Sequence, residues 1–360
     1  MTKESIVVGL SGGVDSAVCA HLLQRQGYDV QAVFMKNWDE DDDEHCSATE
    51  DLADAEEVCA KLEIPLKTVN FSSEYWDSVF EYFLAEHRAG RTPNPDILCN
   101  TEIKFKVFLE YASQLGVDRI ATGHYARIAE QHGRYQLLCG LDQGKDQSYF
   151  LHGLNQAQLS KSLMPLGALE KSEVRHIAAD LDLAIHDKKD STGICFIGER
   201  KFSEFLQQYL PSKRGDIVDL DGNIIGEHQG ATFFTIGQRQ GLGIGGRADS
   251  SAEPWYVVDK DMTNNKVIVA QGSDHPALFN QRLQLEDMHW IDPEDRRDNC
   301  HCSAKIRYRQ SHQTCQLLRN ESGHWELAFD QAQRAVTPGQ FAVLYEQDRC
   351  LGGAVIQLRK

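Results

Sequence analysis

The chain has 360 residues, 41% of them hydrophobic and 25% charged, a composition that excludes global disorder and predicts two or three folded domains. No stretch reaches the ~20 mostly apolar residues of a membrane-spanning helix, and the apolar segment Ser5–Leu10 is too short for a signal peptide. The formal net charge of -17 excludes binding of nucleic acid through the overall field, although a local basic patch could still bind it. We therefore expect a cytoplasmic protein with no membrane partner.

The first 120 residues predict alternating strands and helices. Apolar runs indicate buried strands, and the capping box Ser47–Glu50 marks the start of one of the helices between them. This alternation is typical of βαβ units on a parallel sheet, where ligands bind beyond the carboxyl ends of the strands. The predicted strands are Ser5–Leu10, Asp29–Phe34, Leu66–Phe71 and Arg119–Thr122. The predicted helices are Asp15–Gln26, Ser47 to about Glu63, Ser73–Ala89 and Asn100–Leu115.

After about Pro211 the helical periodicity gives way to short alternating segments separated by turn signals. Trp255–Asp259 and Lys266–Ala270 predict the two strands of a hairpin. This change predicts a domain boundary near Pro211, and the interruption of the β pattern at Pro276 indicates a second one. We therefore expect three domains, at residues 1–210, 211–275 and 276–360.

Ten cysteines are spread over the chain without a CxxC pair, so we expect reduced thiols, most of them buried. Cys300 and Cys302 flank a histidine and could indicate a metal site, but the alternating pattern of Cys302–Tyr308 favours a strand. The six consecutive acidic residues Asp39–Glu44 predict a solvated loop, with divalent-metal binding as the alternative. We predict no metal site among these residues.

The segment Ser11–Ser16, with the sequence Ser-Gly-Gly-Val-Asp-Ser, lies between the first predicted strand and the first predicted helix. Its glycines allow the backbone to turn tightly and to present N–H groups to an anion, and the helix N-terminus adds a partial positive charge. No lysine follows the glycines, so this is not a Walker A loop. Asp15 would suit such a loop if a metal ion joined it to a pyrophosphate. The segment therefore predicts a nucleotide-binding loop.

This hexapeptide resembles the SGGxDS loop of the PP-loop ATP pyrophosphatases, which cleave ATP between the α- and β-phosphates and adenylate a substrate oxygen. Further segments along the whole chain resemble one family within that superfamily, the tRNA-specific 2-thiouridylases. These segments are Gly90–Asn100, Ala121–Tyr125, Lys145–Leu151, Asp190–Gly198, Gly237–Gly246, Arg307–Arg309 and Thr337–Gln340.

The resemblance implies a fold, a reaction and partners. The implied fold class is α/β, with a Rossmann-like parallel-sheet PP-loop domain, a small mostly-β central domain and a C-terminal β-barrel domain that binds tRNA. The implied reaction is ATP-dependent 2-thiolation of the wobble uridine U34 in the glutamate, glutamine and lysine tRNAs. ATP adenylates the uracil O2, and a persulfide sulfur then replaces the activated oxygen. The implied cofactors are ATP and Mg²⁺, and the implied partners are the tRNA anticodon stem-loop and an upstream persulfide carrier protein.

The resemblance also assigns binding residues. Those implied for ATP are Gly9, Leu10, Ser11, Gly12, Gly13, Val14, Asp15, Ser16, Met35 and Gly123. Those implied for tRNA are Asn94, Pro95, Asp96, His124, Lys145, Asp146, Gln147, Arg307, Tyr308 and Gln340. An arginine next to a tyrosine suits phosphate contact combined with base stacking. Local basic pairs such as Lys188–Lys189 would let an acidic chain bind tRNA.

Two thiols are implied in sulfur transfer, with Cys195 as the persulfide carrier and Cys99 as the thiol that releases the sulfur by forming a disulfide. We expect Cys99 at the start of a helix that begins with Asn100, where the helix N-terminus favours the thiolate. Asp96 could act as a general base or hold the target base. The lysines Lys188–Lys189 would make the Cys195 segment electropositive.

Three alternatives remain open at this point. Another PP-loop enzyme, such as an amidating synthetase or a lysidine-type tRNA ligase, would need no thiol pair. A thiouridylase could instead use Cys99 and Cys195 as ligands of an iron–sulfur cluster. The non-enzymatic alternative is a tRNA-binding or redox module with a degenerate nucleotide loop. The intact loop sequence argues against it.

Overall fold

The computed structural model describes residues 3–38, 47–190, 202–244, 253–286 and 288–359. Its N-terminal region contains a parallel sheet in the order β3-β2-β1-β4-β7, which confirms the predicted βαβ alternation. The antiparallel hairpin β5–β6 stands outside this sheet. The strands are β1 (Ser5–Gly9), β2 (Asp29–Lys36), β3 (Leu66–Asn70), β4 (Ile120–Ala121), β5 (Ala126–Gln131), β6 (Arg134–Cys139) and β7 (Ser162–Leu163).

Helices cover both faces of the parallel sheet. Ile6 and Val8 of β1 pack in one buried cluster with α1 and α2, whereas Val7 packs in a second cluster with the helices at 72–88 and 95–114. Alternate residues of one strand therefore serve two apolar layers, as expected for a doubly wound sheet. The helices are α1 (Val14–Arg25), α2 (Ser47–Leu62), the segment 72–88 with a π-helical turn at Trp76–Phe80, the segment 95–114 with a π-helical turn at Cys99–Val107, Ser148–Leu151, Gln156–Ser160, Lys171–Asp180 and Phe202–Gln207. Short 3₁₀ turns follow at Pro165–Ala168, Ala231–Phe233, Pro276–Leu278 and Pro293–Asp295.

The central region is a four-stranded sheet in the order β10-β11-β8-β9. Its strands β10 and β11 pair antiparallel, which confirms the predicted hairpin. Val257 and Val267 are fully buried on this sheet and belong to the large cluster that also contains the helices at 72–88 and 95–114. The strands are β8 (Gly215–Val218), β9 (Ile224–His228), β10 (Trp255–Asp261) and β11 (Lys266–Gln271).

The C-terminal region is a closed six-stranded barrel in the order β12-β16-β15-β14-β17-β18, and pairing of β12 with β18 closes it. Leu283, Leu317 and Leu327 are among the fully buried side chains that fill it. The barrel confirms the fold class implied by the resemblance. The strands are β12 (Phe279–Leu285), β13 (His289–Trp290), β14 (Asn299–Lys305), β15 (Gln313–Arg319), β16 (Trp325–Arg334), β17 (Phe341–Glu346) and β18 (Arg349–Arg359).

The thiols of the barrel follow the predicted strand pattern. Cys300 and Cys302 lie in β14, and Cys302 stands opposite Cys315 of β15 with the two sulfur atoms 3.7 Å apart. Among the residues that the structure describes, no cluster of histidine, cysteine, aspartate and glutamate side chains could hold a metal ion. The acidic run Asp39–Glu44 lies outside the described residues.

The hairpin β5–β6 joins the N-terminal region to the barrel. Leu137 and Leu138 of β6 pair with Cys350 and Arg349 of β18, so the barrel sheet continues into the hairpin. None of the helices in the described ranges has both the length and the apolar character needed to span a membrane.

Candidate active site around the nucleotide loop

The nucleotide loop joins β1 to α1, and two glycine contacts around it leave no room for a side chain. Gly12 has φ +71°, and a Cβ there would lie 2.2 Å from the carbonyl oxygen of Asp51. A Cβ at Gly123, just after β4, would lie 2.8 Å from the carbonyl carbon of Asp15. Only glycine permits these close approaches, so backbone atoms form the surface of the loop.

Hydrogen bonds inside the loop fix its backbone. The hydroxyl of Ser16 accepts from the N–H of Ser11 at 3.1 Å and donates to the carbonyl of Gly13 at 3.1 Å. Helix α1 begins at Val14, and Gly13 caps it without a side-chain hydrogen bond. The first N–H groups of a helix lack intrahelical acceptors, and the positive end of the helix dipole lies beside them. The predicted loop therefore fits the phosphates of a nucleotide.

The other residues predicted to bind ATP fall into two groups. Gly9 and Met35 come together, since a Cβ at Gly9 would lie 3.0 Å from Cε of Met35 and 3.3 Å from the ring of Phe108. Leu10 and Val14 are only 1% and 4% exposed, so their side chains belong to the core. Only the backbone of these two residues could contact a nucleotide.

Asp15 is the centre of a charged network that the sequence did not predict. Its two carboxylate oxygens accept from Nζ of Lys171 at 2.7 and 2.8 Å, and Oδ1 also accepts from the hydroxyl of Tyr125 at 2.7 Å. Burial, followed by the charge of Asp15, raises the pKa of Tyr125 far above its usual value. The hydroxyl of Tyr125 therefore keeps its proton and remains a donor.

The network continues from Lys171 to Asp190. Oδ1 of Asp190 lies 2.7 Å from Nζ of Lys171 and 3.2 Å from an Arg175 nitrogen, and Oδ2 lies 2.5 Å from Nζ of Lys145. Burial alone would raise the pKa of Asp190, but the hydrogen bonds from Lys145 and Lys171 outweigh it and lower this pKa to about 2. Asp190 is therefore a carboxylate at every pH at which the protein works.

Lys188, two residues before Asp190, bonds directly to the nucleotide loop. Its Nζ donates to the carbonyl of Gly12 at 3.2 Å, to Asp51 at 2.7 Å and to Asp54. Two carboxylates thus neutralise Lys188 at the nucleotide loop, and the expected electropositive surroundings of Cys195 stay a prediction. Cys195 itself lies outside the described residues.

The prediction that a helix begins at Asn100 is wrong. The helix begins at Pro95, with Asn94 as its N-cap and a hydrogen bond of 3.2 Å from the N–H of Asp96 to Oδ1 of Asn94. Cys99 therefore lies a full turn inside the helix, at the start of a π-helical segment, and not at a helix N-terminus. The overlooked signal was the Asn-Pro pair, which combines a favoured N-cap with proline at the first helical position.

Cys99 and Asp96 are both poorly exposed. Cys99 is 1% exposed and shares an apolar cluster with Ile103 and Phe105. Burial raises the pKa of Asp96, and the charge of Lys104 opposes this shift. A raised carboxyl pKa suits a general base better than an ordinary one does. The roles of both residues nevertheless stay predictions.

Three of the residues predicted to contact tRNA are buried, namely Pro95, His124 and Asp146. His124 is 8% exposed, and its Nδ1 lies 2.8 Å from the hydroxyl of Thr122. Burial, and secondarily Lys104, lowers the pKa of His124 well below its usual value, so the ring is neutral. Asp146 is 2% exposed and forms a 3.1 Å ion pair with the buried Lys305 of the barrel. This ion pair joins the segment around Asp146 to the barrel.

Other residues predicted to contact tRNA meet at the junction of the barrel with the N-terminal region. The hydroxyl of Tyr308 donates to the carbonyl of Lys145 at 3.4 Å, and the Tyr308 ring lies 4.4 Å from that of Phe150. Nε2 of Gln340 donates to the carbonyl of Thr92 at 2.7 Å, two residues before Asn94. Two of the barrel residues predicted to contact tRNA, Tyr308 and Gln340, thus bond to the N-terminal region.

Arg307 and Gln147 complete the predicted set. Arg307 is an exposed residue, although desolvation of its guanidinium by the groups around it, and then the nearby Arg334, lower its pKa. A partly desolvated guanidinium gains from an anionic partner, so this position suits a phosphate. The side chain of Gln147 accepts from the N–H of Tyr125 at 2.9 Å. This bond orients the backbone of Tyr125, whose hydroxyl donates to Asp15. The tRNA contacts themselves stay predictions.

No sequence pattern predicted a role for Lys171, and Tyr125 and Asp190 stood out only as members of longer motifs. The sequence signal that did exist around Lys171 is the capping box that opens its helix, formed by Glu170 and Glu173. That signal places the helix but does not indicate a partner in the distant nucleotide loop.

Three family matches cover nearly the whole chain. A family described as tRNA methyl transferase HUP domain matches residues 4–199. One described as tRNA methyl transferase PRC-barrel domain matches residues 203–271. One described as aminomethyltransferase beta-barrel domain matches residues 280–356. These matches agree with the three structural regions.

Full-length relatives are similar throughout. The tRNA-specific 2-thiouridylase MnmA of Psychromonas ingrahamii is 58% identical over 358 residues, which are 99% of this chain and 98% of that protein. The protein of the same name from Escherichia coli O1:K1 / APEC is 58% identical over 360 residues, 99% of this chain and 98% of that protein. Among solved structures, U34-tRNA thiolase NcsA from Methanococcus maripaludis with its [4Fe-4S] cluster is similar at a TM-score of 0.36 and 20% identity, over 53% of this chain and 60% of that chain.

Proposed function

Since this chain belongs to the tRNA-specific 2-thiouridylase family and is a tRNA sulfurtransferase, we propose that it adenylates O2 of the wobble uridine U34 and then replaces this oxygen with sulfur. The 58% identity to a thiouridylase over 99% of the chain carries this proposal. The thiolated substrates would be the glutamate, glutamine and lysine tRNAs, and we place the reaction in the cytoplasm.

The activation step would take place at the nucleotide loop. ATP is the substrate that a PP-loop implies, and the backbone N–H groups of Ser11–Ser16 would hold its phosphates. The attacking group is O2 of the uracil, which bonds to the α-phosphorus while pyrophosphate leaves. Adenylation is needed because a uracil carbonyl oxygen is a poor leaving group, whereas AMP is a good one.

The proposal also includes Mg²⁺ at the activation step. Proteins usually hold this ion with one or two carboxylates together with substrate phosphates, so a single protein carboxylate is sufficient. Asp15 fits that role because its side chain is 33% exposed at the loop, although it also accepts from Lys171. When bound, the ion would neutralise phosphate charge.

The sulfur step would use the two thiols. The terminal persulfide sulfur of Cys195 would attack C2 of the uracil, and AMP would leave. The Cys99 thiolate would then attack Sγ of Cys195, so that a Cys99–Cys195 disulfide forms and the sulfur stays on the base with its electron pair. Asp96 would accept a proton or hold the base. A thiol reductant would regenerate both cysteines, and a persulfide carrier protein would reload Cys195.

The test is mass spectrometry of tRNA nucleosides after incubation of the protein with ATP, unmodified tRNA and a persulfide donor. We expect 2-thiouridine at position 34 only when ATP and the donor are both present. Incorporation of ammonia or lysine in place of sulfur would contradict the proposal and favour an amidating or ligating PP-loop enzyme. Iron bound to anaerobically purified protein, with loss of activity on its removal, would contradict the persulfide route.

A further inference from the structure

Lys171 connects the nucleotide loop with Asp190. Its ammonium lies 2.7 and 2.8 Å from the oxygens of Asp15 and 2.7 Å from Oδ1 of Asp190. The Lys171 side chain is only 10% exposed. An ammonium group with so little water around it needs anionic oxygens as neighbours, because an unpaired buried charge is strongly unfavourable. Lys171 is therefore placed to hold negatively charged oxygens beside the loop.

The cations around Asp190 differ in how firmly they are held. Arg175 donates at 3.0 Å to the carbonyls of His186 and Lys188, so its guanidinium is committed to the backbone of that segment. Lys145 is 37% exposed and bonds to Asp190 through Nζ. A flexible lysine can exchange one oxyanion for another without moving the backbone. Lys145 and Lys171 are thus the cations that can change partner.

We propose that Lys145 and Lys171 bind the diphosphate of ATP, and that the carboxylate of Asp190 competes with the diphosphate oxygens for both ammonium groups. This inference rests on the proposed function, because the adenylation step must hold and then release pyrophosphate. The loop lacks the lysine of a Walker A motif, and its backbone N–H groups are uncharged donors. Lys171 supplies the missing positive charge from a distant helix, and Lys145 adds a second ammonium group on the other oxygen of Asp190.

The competition has a consistent charge balance. Asp190 remains ionised because its pKa is about 2, so it opposes diphosphate binding throughout the working pH range. A carboxylate presents two oxygens to Lys145 and Lys171, as a phosphate group does, but carries less negative charge. Diphosphate can therefore displace it, and Asp190 can in turn favour release of the product.

Isothermal titration calorimetry of the full chain with inorganic pyrophosphate, and separately with ATP, tests this inference. We expect Lys171→Met to weaken pyrophosphate binding by about tenfold or more, as loss of a charge-assisted hydrogen bond implies. Lys171→Arg keeps the charge and should bind within a few-fold of wild type. Asp190→Asn should tighten pyrophosphate binding, and Lys171→Met in the same chain should remove most of that gain.

Lys61→Met is the matched control, since Lys61 forms an ion pair at the surface with Asp182, away from the loop. It should bind pyrophosphate as wild type does. Thermal unfolding of each variant identifies any that fail to fold, in which case Lys171→Arg and Asp190→Asn carry the test.

Weaker pyrophosphate binding by Asp190→Asn, or wild-type binding by folded Lys171→Met, would overturn the inference and leave the proposed function intact. Failure of the proposed function can also be told apart from failure of this inference. A chain that binds pyrophosphate through Lys171 but releases none from ATP in the presence of tRNA would contradict the proposed function alone.

Discussion

The surroundings of Asp15 and of Cys99 show two different ways of preparing a reactive group. Asp15 lies in a polar network in which five side chains, those of Asp15, Tyr125, Lys171, Asp190 and Lys145, are joined by bonds of 2.5 to 2.8 Å. Cys99 is 1% exposed within an apolar cluster. A charged network is ready for an anionic ligand because its donors already point at one place. A thiol enclosed by apolar groups is protected from other oxidants, and its surroundings must open before it can react.

The largest effect that tests this difference comes from Asp15→Ala. We expect loss of ATP-dependent pyrophosphate release by more than about a hundredfold, because a preorganised electrostatic contact is removed. The variant also leaves Lys171 without its main partner, so we expect the free energy of unfolding to fall by about 1–3 kcal/mol. Pyrophosphate release and thermal unfolding check the two parts. Unchanged release by a folded variant would show that Asp15 is not part of the ATP site.

Removal of either thiol should abolish thiolation while sparing activation. Cys195→Ala should still release pyrophosphate with ATP and tRNA but make no 2-thiouridine, because the nucleotide loop does not use that side chain. Cys99→Ala should also fail to thiolate, yet should still gain the mass of one sulfur on Cys195. Nucleoside and intact-protein mass spectrometry measure these outcomes. Normal thiolation by Cys195→Ala would rule out its role as carrier.

Cys19→Ala is the control for both thiol variants. Cys19 is fully buried in α1, where burial raises the pKa of its thiol above the usual range, so it serves packing rather than chemistry. The substitution should cost about 1 kcal/mol of stability through a small cavity and should leave thiolation unchanged. Loss of thiolation in this folded variant would mean that the two-thiol assignment is incomplete.

A further substitution separates charges that bind ligands from charges that stabilise the fold. Lys305→Met removes the partner of Asp146 in a pair whose side chains are 7% and 1% exposed. An unpaired buried carboxylate should lower the free energy of unfolding by about 3–5 kcal/mol, whereas ATP binding to the folded protein should not change. Lys106→Met, in an exposed pair with Glu102, should cost less than about 1 kcal/mol. Equal losses in chemical denaturation would contradict this distinction.

The smallest effect is expected at the junction with the barrel. Arg307→Ala should weaken tRNA binding and lower the slope of log affinity against log salt by about one, as loss of one phosphate contact implies. ATP binding without tRNA should be unaffected. Filter binding at several salt concentrations gives both quantities, and a wild-type slope would remove Arg307 from the tRNA surface.

These regions also differ in how much of their structure could be predicted from the sequence. The alternation of apolar runs predicts the parallel sheet, and the nucleotide loop is recognisable because glycine and serine spacing is a local property. Barrel closure depends on pairing of Leu285 with Ile356, which no local pattern indicates, so only the family resemblance implied it. The partnership of Lys171 with Asp15 is equally non-local.

The error at Cys99 has a different origin. The predicted start at Asn100 did not take into account the capping signal that Asn94 and Pro95 carry in the same stretch. The consequence was chemical as well as structural, because the expected activation of Cys99 by a helix N-terminus depended on that boundary. Motif membership singled out Cys99, but its buried position inside the helix could be described only from the structure.

The pairing of β6 with β18 has a consequence for how the protein is made. Cys139 of β6 donates its N–H to the carbonyl of Asp348, so an edge strand of the N-terminal region is completed by β18, which is translated only after the central region and the rest of the barrel. An uncovered strand edge can pair with the same edge of another chain. Throughout translation of the central region and the barrel, nascent chains on one messenger would carry this edge side by side. Protein yield should therefore depend on chaperones that shield the hairpin until synthesis is finished.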